Sequence, residues 1–237
     1  MRTIRIERRY RGPTSSGNGG WSAGRLAAQH GSADGPIQVT LRRPPPLNTE
    51  LTVEPDGDGV RLHNPGGDLV AEAVAGTLAH PVEQVDVDAA RAAERDYAGW
   101  REHPFPECFV CGIDRDEGDG MRVFPGRLAP GRTACTWTPH PTMAGPDGRL
   151  DPAYVWAALD CPGGWAGDLE GRPMVLGRMT AQIDARPAAG ETLVAVGQLL
   201  DVGGRKTYTA STVYDLAGRI VGSAAHVWIA VDPTAFS

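Results

Sequence analysis

The stretch Asp151-Pro152-Ala153-Tyr154-Val155-Trp156-Ala157-Ala158-Leu159-Asp160 decides how this chain is read. Asp151 suits a helix N-cap, and Pro152 suits the first helical position, where the missing N–H has no partner to lose. The pattern predicts a helix over 152–159 that ends near Cys161-Pro162-Gly163-Gly164. Four strand candidates follow it, at 174–186, 192–201, 206–215 and 219–231, with turns at 187–190, Gly203-Gly204 and 216–218. Two precede it, at 121–124 and 132–138. A lone helix beside antiparallel strands that alternate apolar and polar positions has one natural place, against the apolar face of their sheet. The expected class is α+β.

The same order stands earlier in the chain. A strand fits the first ten residues, where Ile4 and Ile6 share a face. A loop rich in Gly and Ser leads to a small-residue helix at 21–30, stopped by Gly31. Strand candidates follow at 37–43, 49–55, 60–63 and 69–78, separated by turns such as Asp56-Gly57-Asp58-Gly59. Gly67-Asp68-Leu69-Val70-Ala71-Glu72-Ala73 is similar to Gly218-Arg219-Ile220-Val221-Gly222-Ser223-Ala224, 151 residues on. The expected division is a first half over 1–80, a linker over 81–106 containing the charged helical stretch 89–95, and a second half over 107–237.

Composition excludes several classes. Of 237 residues, 41% are hydrophobic and 22% charged, enough to build a core. No apolar run reaches the ~18 residues that cross a bilayer, and the N-terminus lacks a signal-type apolar stretch, so no membrane association and a cytoplasmic location are expected. With 29 acidic against 23 basic residues, the net charge of -6 argues against a nucleic-acid partner. Cys108 and Cys111 form a CxxC, while Cys135 and Cys161 stand alone. His103 and His140 are the nearest candidate partners, but no second CxxC or HxxxH completes four ligands. No metal and no cofactor is therefore expected.

Three segments carry a family resemblance. Asn18-Gly19-Gly20-Trp21, ahead of a small-residue helix, resembles the helix entry of the hotdog-fold thioesterases and dehydratases. Pro106-Glu107-Cys108-Phe109-Val110-Cys111-Gly112, followed by Gly120-Met121-Arg122-Val123, is similar to a segment leading into many single-hotdog thioesterases. Val155 to Asp160 resembles the helix bearing their catalytic carboxylate. The resemblance covers nearly the whole chain and implies a double hotdog, two antiparallel sheets each wrapping one central helix.

It also implies a site. In the family the acid lies nine residues beyond the first position of the entry motif, which places it at Asp160 in the second half and at Ala27 in the first. Backbone amides at the entry polarise the thioester carbonyl. Gly19 and Gly20 retain these, whereas Pro152 has no N–H to offer. The implied activity is hydrolysis of an acyl-CoA or related thioester at one composite site. Gly19 and Gly20 supply amides, and Asp160 acts as general base or nucleophile. Asn18, Trp21, Trp156 and Arg178 are the expected substrate contacts, and pairing of hotdog sheets into a homo-oligomer is a further expectation. The alternative is a non-catalytic acyl-CoA- or lipid-binding module that kept the fold. His63-Asn64-Pro65 lacks the aspartate before it and the histidine after it that a dehydratase motif needs.

Overall fold

A computed structural model describes residues 2–31, 35–78, 81–232 and 234; the expected boundary at 80 falls on residues outside these. The first half runs β1 (Arg2–Arg5), α1 (Gly19–Ala27), β2 (Ile37–Leu41), β3 (Glu50–Asp56), β4 (Gly59–His63) and β5 (Leu69–Ala75). The connector carries α2 (Val87–Glu94). The second half runs β6 (Gly126–Ala129), β7 (Arg132–Trp137), α3 (Pro152–Ala166), β8 (Met174–Ile183), β9 (Leu193–Gly203), β10 (Lys206–Asp215) and β11 (Ile220–Ala230).

Strand order shows the duplication more plainly than residue identity does. The first half pairs as β1-β3-β4-β5-β2, and the second repeats it as β7-β9-β10-β11-β8, with β6 added at the edge. β5 and β11 are thus equivalent, as are the two segments 151 residues apart. The two sheets meet where β2 pairs antiparallel with β8, Val39 opposite Met179 and Thr40 opposite Arg178, giving one continuous 11-stranded sheet.

Each sheet curls around its helix because its alternation is one-sided. Leu51 and Val53 of β3 and Leu62 of β4 are buried, while Glu54 and Arg61 between them are exposed. α1 buries Gly20, Trp21, Ala23, Gly24 and Leu26. α3 is buried at every position from Ala153 to Ala166, held between the second sheet and α1. The helices meet through Gly20 and Gly24, one turn apart. A Cβ on Gly24 would stand 2.9 Å from the Ala153 Cα. Linker residues cover the outer face of the second sheet, Val82, Ala90 and Ala93 packing on Ala134, Val194 and Val196.

The structure corrects two local expectations. α3 does not stop at Cys161-Pro162-Gly163-Gly164 but continues to Ala166. These residues read as a turn in isolation, yet the helix runs on beneath the sheet, whose hydroxyls bond two of its carbonyls. Ser211 Oγ donates to the Leu159 carbonyl at 2.6 Å, and Thr133 Oγ1 donates to that of Pro162 at 2.8 Å. The glycines permit close approach instead of a turn: a Cβ on Gly163 would lie 2.6 Å from Thr209 Oγ1. Residues 121–124 form no strand. Their amides turn back on an inner loop, Met121 N–H to the Phe109 carbonyl (2.8 Å) and Val123 N–H to that of Val110 (2.9 Å).

Asp151 caps α3 as expected, Oδ1 accepting from the Ala153 N–H at 2.8 Å, with its side chain half exposed. Asp151→Ala should cost about 1 kcal/mol of stability, read as a lowered denaturant midpoint, and an unchanged midpoint would contradict the capping role.

Among the described residues no helix is long and apolar enough to cross a membrane.

Candidate active site

The entry of α1 meets the middle of α3 at the junction of the halves. Asn18 caps α1, its Oδ1 accepting from the Trp21 N–H at 2.8 Å. That leaves the Asn18 amide nitrogen pointing across the interface. It donates to Asp160 Oδ2 at 3.1 Å and lies 3.8 Å from Cys108 Sγ. Gly20 N–H, an amide with no intrahelical acceptor, donates to the same Asp160 oxygen at 2.9 Å. The acid of one half is therefore gripped by the helix N-terminus of the other, where the dipole favours a negative charge.

Asp160 is 2% exposed, and its second oxygen, Oδ1, has no hydrogen-bond partner among the described residues. Burial dominates its titration and, with the nearby Cys108, pushes its pKa up to about 7 against the pull of the Gly20 and Asn18 donors. Because α3 runs on to Ala166, Asp160 sits inside the helix and not at its C-terminus. A carboxyl poised near neutrality, buried and half satisfied, is suited to proton transfer.

Asn18, Gly19 and Asp160 line a cavity of about 350 Å³ between the halves. Its walls are largely apolar, with Leu176, Met174, Leu169, Phe105 and Trp228 among them, and Arg42, Arg43 and Arg205 also border it. Arg42 pairs with Glu72, Arg43 with Asp68 at 3.0 Å, and Arg205 holds the Ala230 carbonyl at 3.2 Å.

The expected residues divide by position. Asn18, Gly19, Gly20 and Asp160 come together. Gly20 has Asp160 as its partner and not an open space for a substrate oxygen, because a buried carboxylate needs donors. Gly19, whose N–H has no acceptor among the described residues, remains on the cavity wall. Trp21, Trp156 and Arg178 do not line the cavity. Trp21 stacks on Tyr10 at 3.9 Å and meets Tyr154 edge-on at 4.8 Å, which anchors the start of α1. Trp156 is buried against Gly24 at the helix crossing. Arg178 projects from the outer face of the sheet, its Nε donating to Thr40 Oγ1 at 3.1 Å. Trp21 follows Gly20 by one residue and so points about 100° away round the helix, toward Tyr10 and Tyr154.

The sequence reading also missed residues. Arg42 and Arg43 follow β2, just ahead of Pro44-Pro45-Pro46, and border the cavity. Cys161 does not stand alone: its sulfur lies with those of Cys108 and Cys111, all within 4.8 Å of one another. His103 also lines the cavity, both ring nitrogens engaged with backbone, and burial lowers its pKa. His226 is a buried sheet residue beside Thr209, outside the cavity, its pKa lowered to about 4 by burial.

No family model matches the sequence, and neither does any curated protein. The structure is similar to that of a putative thioesterase from Novosphingobium aromaticivorans, with 15% identity over 97% of this chain and 95% of that one and a TM-score of 0.61. It is similar to a conserved protein of unknown function with a hot dog fold from Alicyclobacillus acidocaldarius, at 14% identity over 98% and 93% and a TM-score of 0.63. It is also similar to a tesB protein from Mycobacterium avium subs paratuberculosis, at 13% identity over 97% and 92% and a TM-score of 0.59. At such identities the likeness speaks to fold alone, and together with the repeated strand order it gives this chain the double hotdog fold.

Proposed function

We propose that the protein hydrolyses an acyl-CoA or a related thioester in the cavity between its halves. The observation that carries this reading is the grip of Gly20 N–H and the Asn18 amide on Asp160, at the wall of an apolar cavity. A thioester carbonyl attacked by water or by a carboxylate builds negative charge on its oxygen. The Gly19 N–H, at the N-terminus of α1 on the cavity wall, serves as the donor to that charge. Asp160 supplies either the base that activates water or the attacking oxygen. Gly20 and Asn18 hold it in place. Leu176, Met174 and Trp228 give the acyl chain an apolar wall, and Arg42, Arg43 and Arg205 offer charge to the phosphates of a CoA moiety.

The symmetry-related position lacks both parts. Ala27 stands where an acid would, and Pro152 has no amide hydrogen. One active site per chain follows. Structural neighbours described as thioesterases or as a tesB protein agree with a thioester substrate.

Release of free CoA from short, medium, long and aromatic acyl-CoAs, followed with a thiol reagent, tests the reading. Turnover on at least one chain length is expected. Absence of turnover on all of them, combined with thermal stabilisation by an acyl-CoA, would replace the hydrolase with a binding module.

A further inference from the structure

The three-thiol cluster at the cavity wall has no part in the mechanism above. Cys108 and Cys111 sit on a tight turn that many hydrogen bonds fix. Gly112 N–H donates to the Cys108 carbonyl at 2.9 Å, Phe109 N–H to the Arg11 carbonyl at 2.7 Å, and the Tyr97 hydroxyl to the Cys111 carbonyl at 2.8 Å. A Cβ at position 112 would fall 2.4 Å from the Cys108 carbonyl oxygen, so only glycine closes this turn. α3 brings Cys161 to it from the other side, immediately after Asp160. All three cysteines are buried free thiols that border the cavity.

We propose that Cys108, Cys111 and Cys161 form a three-thiolate site for a thiophilic metal ion, with Zn²⁺ as the expected occupant and a fourth coordination position open to the cavity. Zinc–sulfur bonds of about 2.3 Å at tetrahedral angles put sulfurs roughly 3.8 Å apart. The three sulfur atoms lie within 4.8 Å of one another, so small side-chain adjustments close the site. Three soft ligands select against Mg²⁺ and Ca²⁺.

The surroundings are those of a site that holds charge on sulfur. The Asn18 amide N–H points at Cys108 Sγ from 3.8 Å. The buried indole N–H of Trp165 lies against Cys111 and has no conventional acceptor among the described residues, a donor that a thiolate would satisfy. Nor is His103 free to complete the shell. Its Nδ1 accepts from the Phe105 N–H at 2.9 Å, which leaves the proton on Nε2, 3.2 Å from the Cys111 carbonyl. That leaves the fourth position to water or to a ligand in the cavity. CxxC spacing shows two of the ligands, whereas the third comes from a helix 50 residues away in sequence.

The test is anaerobic titration of the reduced, chelator-treated full chain with Co²⁺ as a spectroscopic stand-in, followed by competition with Zn²⁺. One equivalent should bind, with sulfur-to-metal charge-transfer and tetrahedral ligand-field absorption that Zn²⁺ abolishes. Cys161→Ser should weaken uptake more than about 100-fold, since even outer-sphere partners are worth 10–100-fold. Cys135→Ser alters a buried thiol on β7 outside the cluster and should leave it unchanged. A folded wild-type chain that takes up no Co²⁺, or uptake unaffected by Cys161→Ser, would overturn the site. The readout is absorption and not turnover, so its failure leaves the hydrolase reading standing, and an inactive protein leaves this one standing.

Discussion

Asp160→Asn is expected to reduce kcat/KM by about 10²–10⁴ on every acyl-CoA the wild type accepts, while making the protein more stable at pH 8. The two effects share one cause. Burial holds the Asp160 carboxyl at about 7, well above its ordinary range, so ionisation in the folded state is unfavourable. A group whose pKa rises on folding contributes stability that is complete below about 4, the unfolded value, and is lost as pH rises through about 7. At pH 8 the ionised wild type therefore forgoes up to about 4 kcal/mol that a neutral side chain would keep. The substituted asparagine does not titrate, and its amide oxygen can still accept the Gly20 N–H. The Asn variant and wild type should unfold together near pH 4 and separate toward pH 8, at roughly 2–4 °C per kcal/mol for a chain of this size. Chelator-treated protein is the right material, because a cation bound at Cys161 would favour the carboxylate and narrow the gap. A variant that keeps its turnover sinks the catalytic role of Asp160. One that loses turnover and stability together at pH 8 would instead mean that the ionised carboxylate holds the halves together.

What the sequence disclosed follows the range over which each signal acts. Asn18 as a cap, Asp151 with Pro152 as a helix start, and the separation of nine residues from entry to acid are local relations on one helix. The composite site of Gly19, Gly20 and Asp160, with Asn18 as a substrate contact, is what the family resemblance implies, and the fold brings Asn18, Gly20 and Asp160 into hydrogen-bond contact. The consecutive hairpins β3-β4-β5 and β9-β10-β11 likewise follow from alternation and short turns, whereas the places of β1, β2, β7 and β8 do not. Relations that cross the fold were not legible. Cys161-Pro162-Gly163-Gly164 carries every local mark of a helix end, yet the chain stays helical where it packs beneath the sheet, with Ser211 and Thr133 bonding the carbonyls of Leu159 and Pro162. Trp21, Trp156 and Arg178 have suitable chemistry at suitable places in the chain. Their faces are set by the partners they meet, Tyr10, Gly24 and Thr40, each distant in sequence. The third thiol of the cysteine cluster was hidden for the same reason.

Gly20→Ala is expected to damage both the fold and the site, which distinguishes it from Asp160→Asn. A Cβ at position 20 would stand 2.6 Å from the Asp160 Cβ, 2.7 Å from the Trp156 carbonyl oxygen and 3.1 Å from the Ala157 Cα. Two of these atoms belong to the α3 backbone, and the third is fixed to it. No rotamer change relieves the contact, so the helices must move apart. Overpacking of this kind costs about 1–3 kcal/mol. The displacement also pulls the Gly20 N–H away from Asp160, removing one of the two donors that hold the carboxyl. A shift of about 1 Å in a reacting group can cost 10²-fold in rate. Unlike the Asp160 variant, Gly20→Ala should be destabilised at pH 4 as well as pH 8, because its injury is steric. Gly24→Ala supplies the comparison. Its Cβ would stand 2.9 Å from the Ala153 Cα and 2.8 Å from the Trp156 Cβ, one turn away from the acid. It should lose similar stability and retain more turnover per folded molecule. If the two variants lost turnover equally, spacing of the helices as a whole would matter more than the bond from Gly20 to Asp160. If Gly20→Ala folded normally and kept its activity, the close crossing of α1 and α3 would not be what holds the acid.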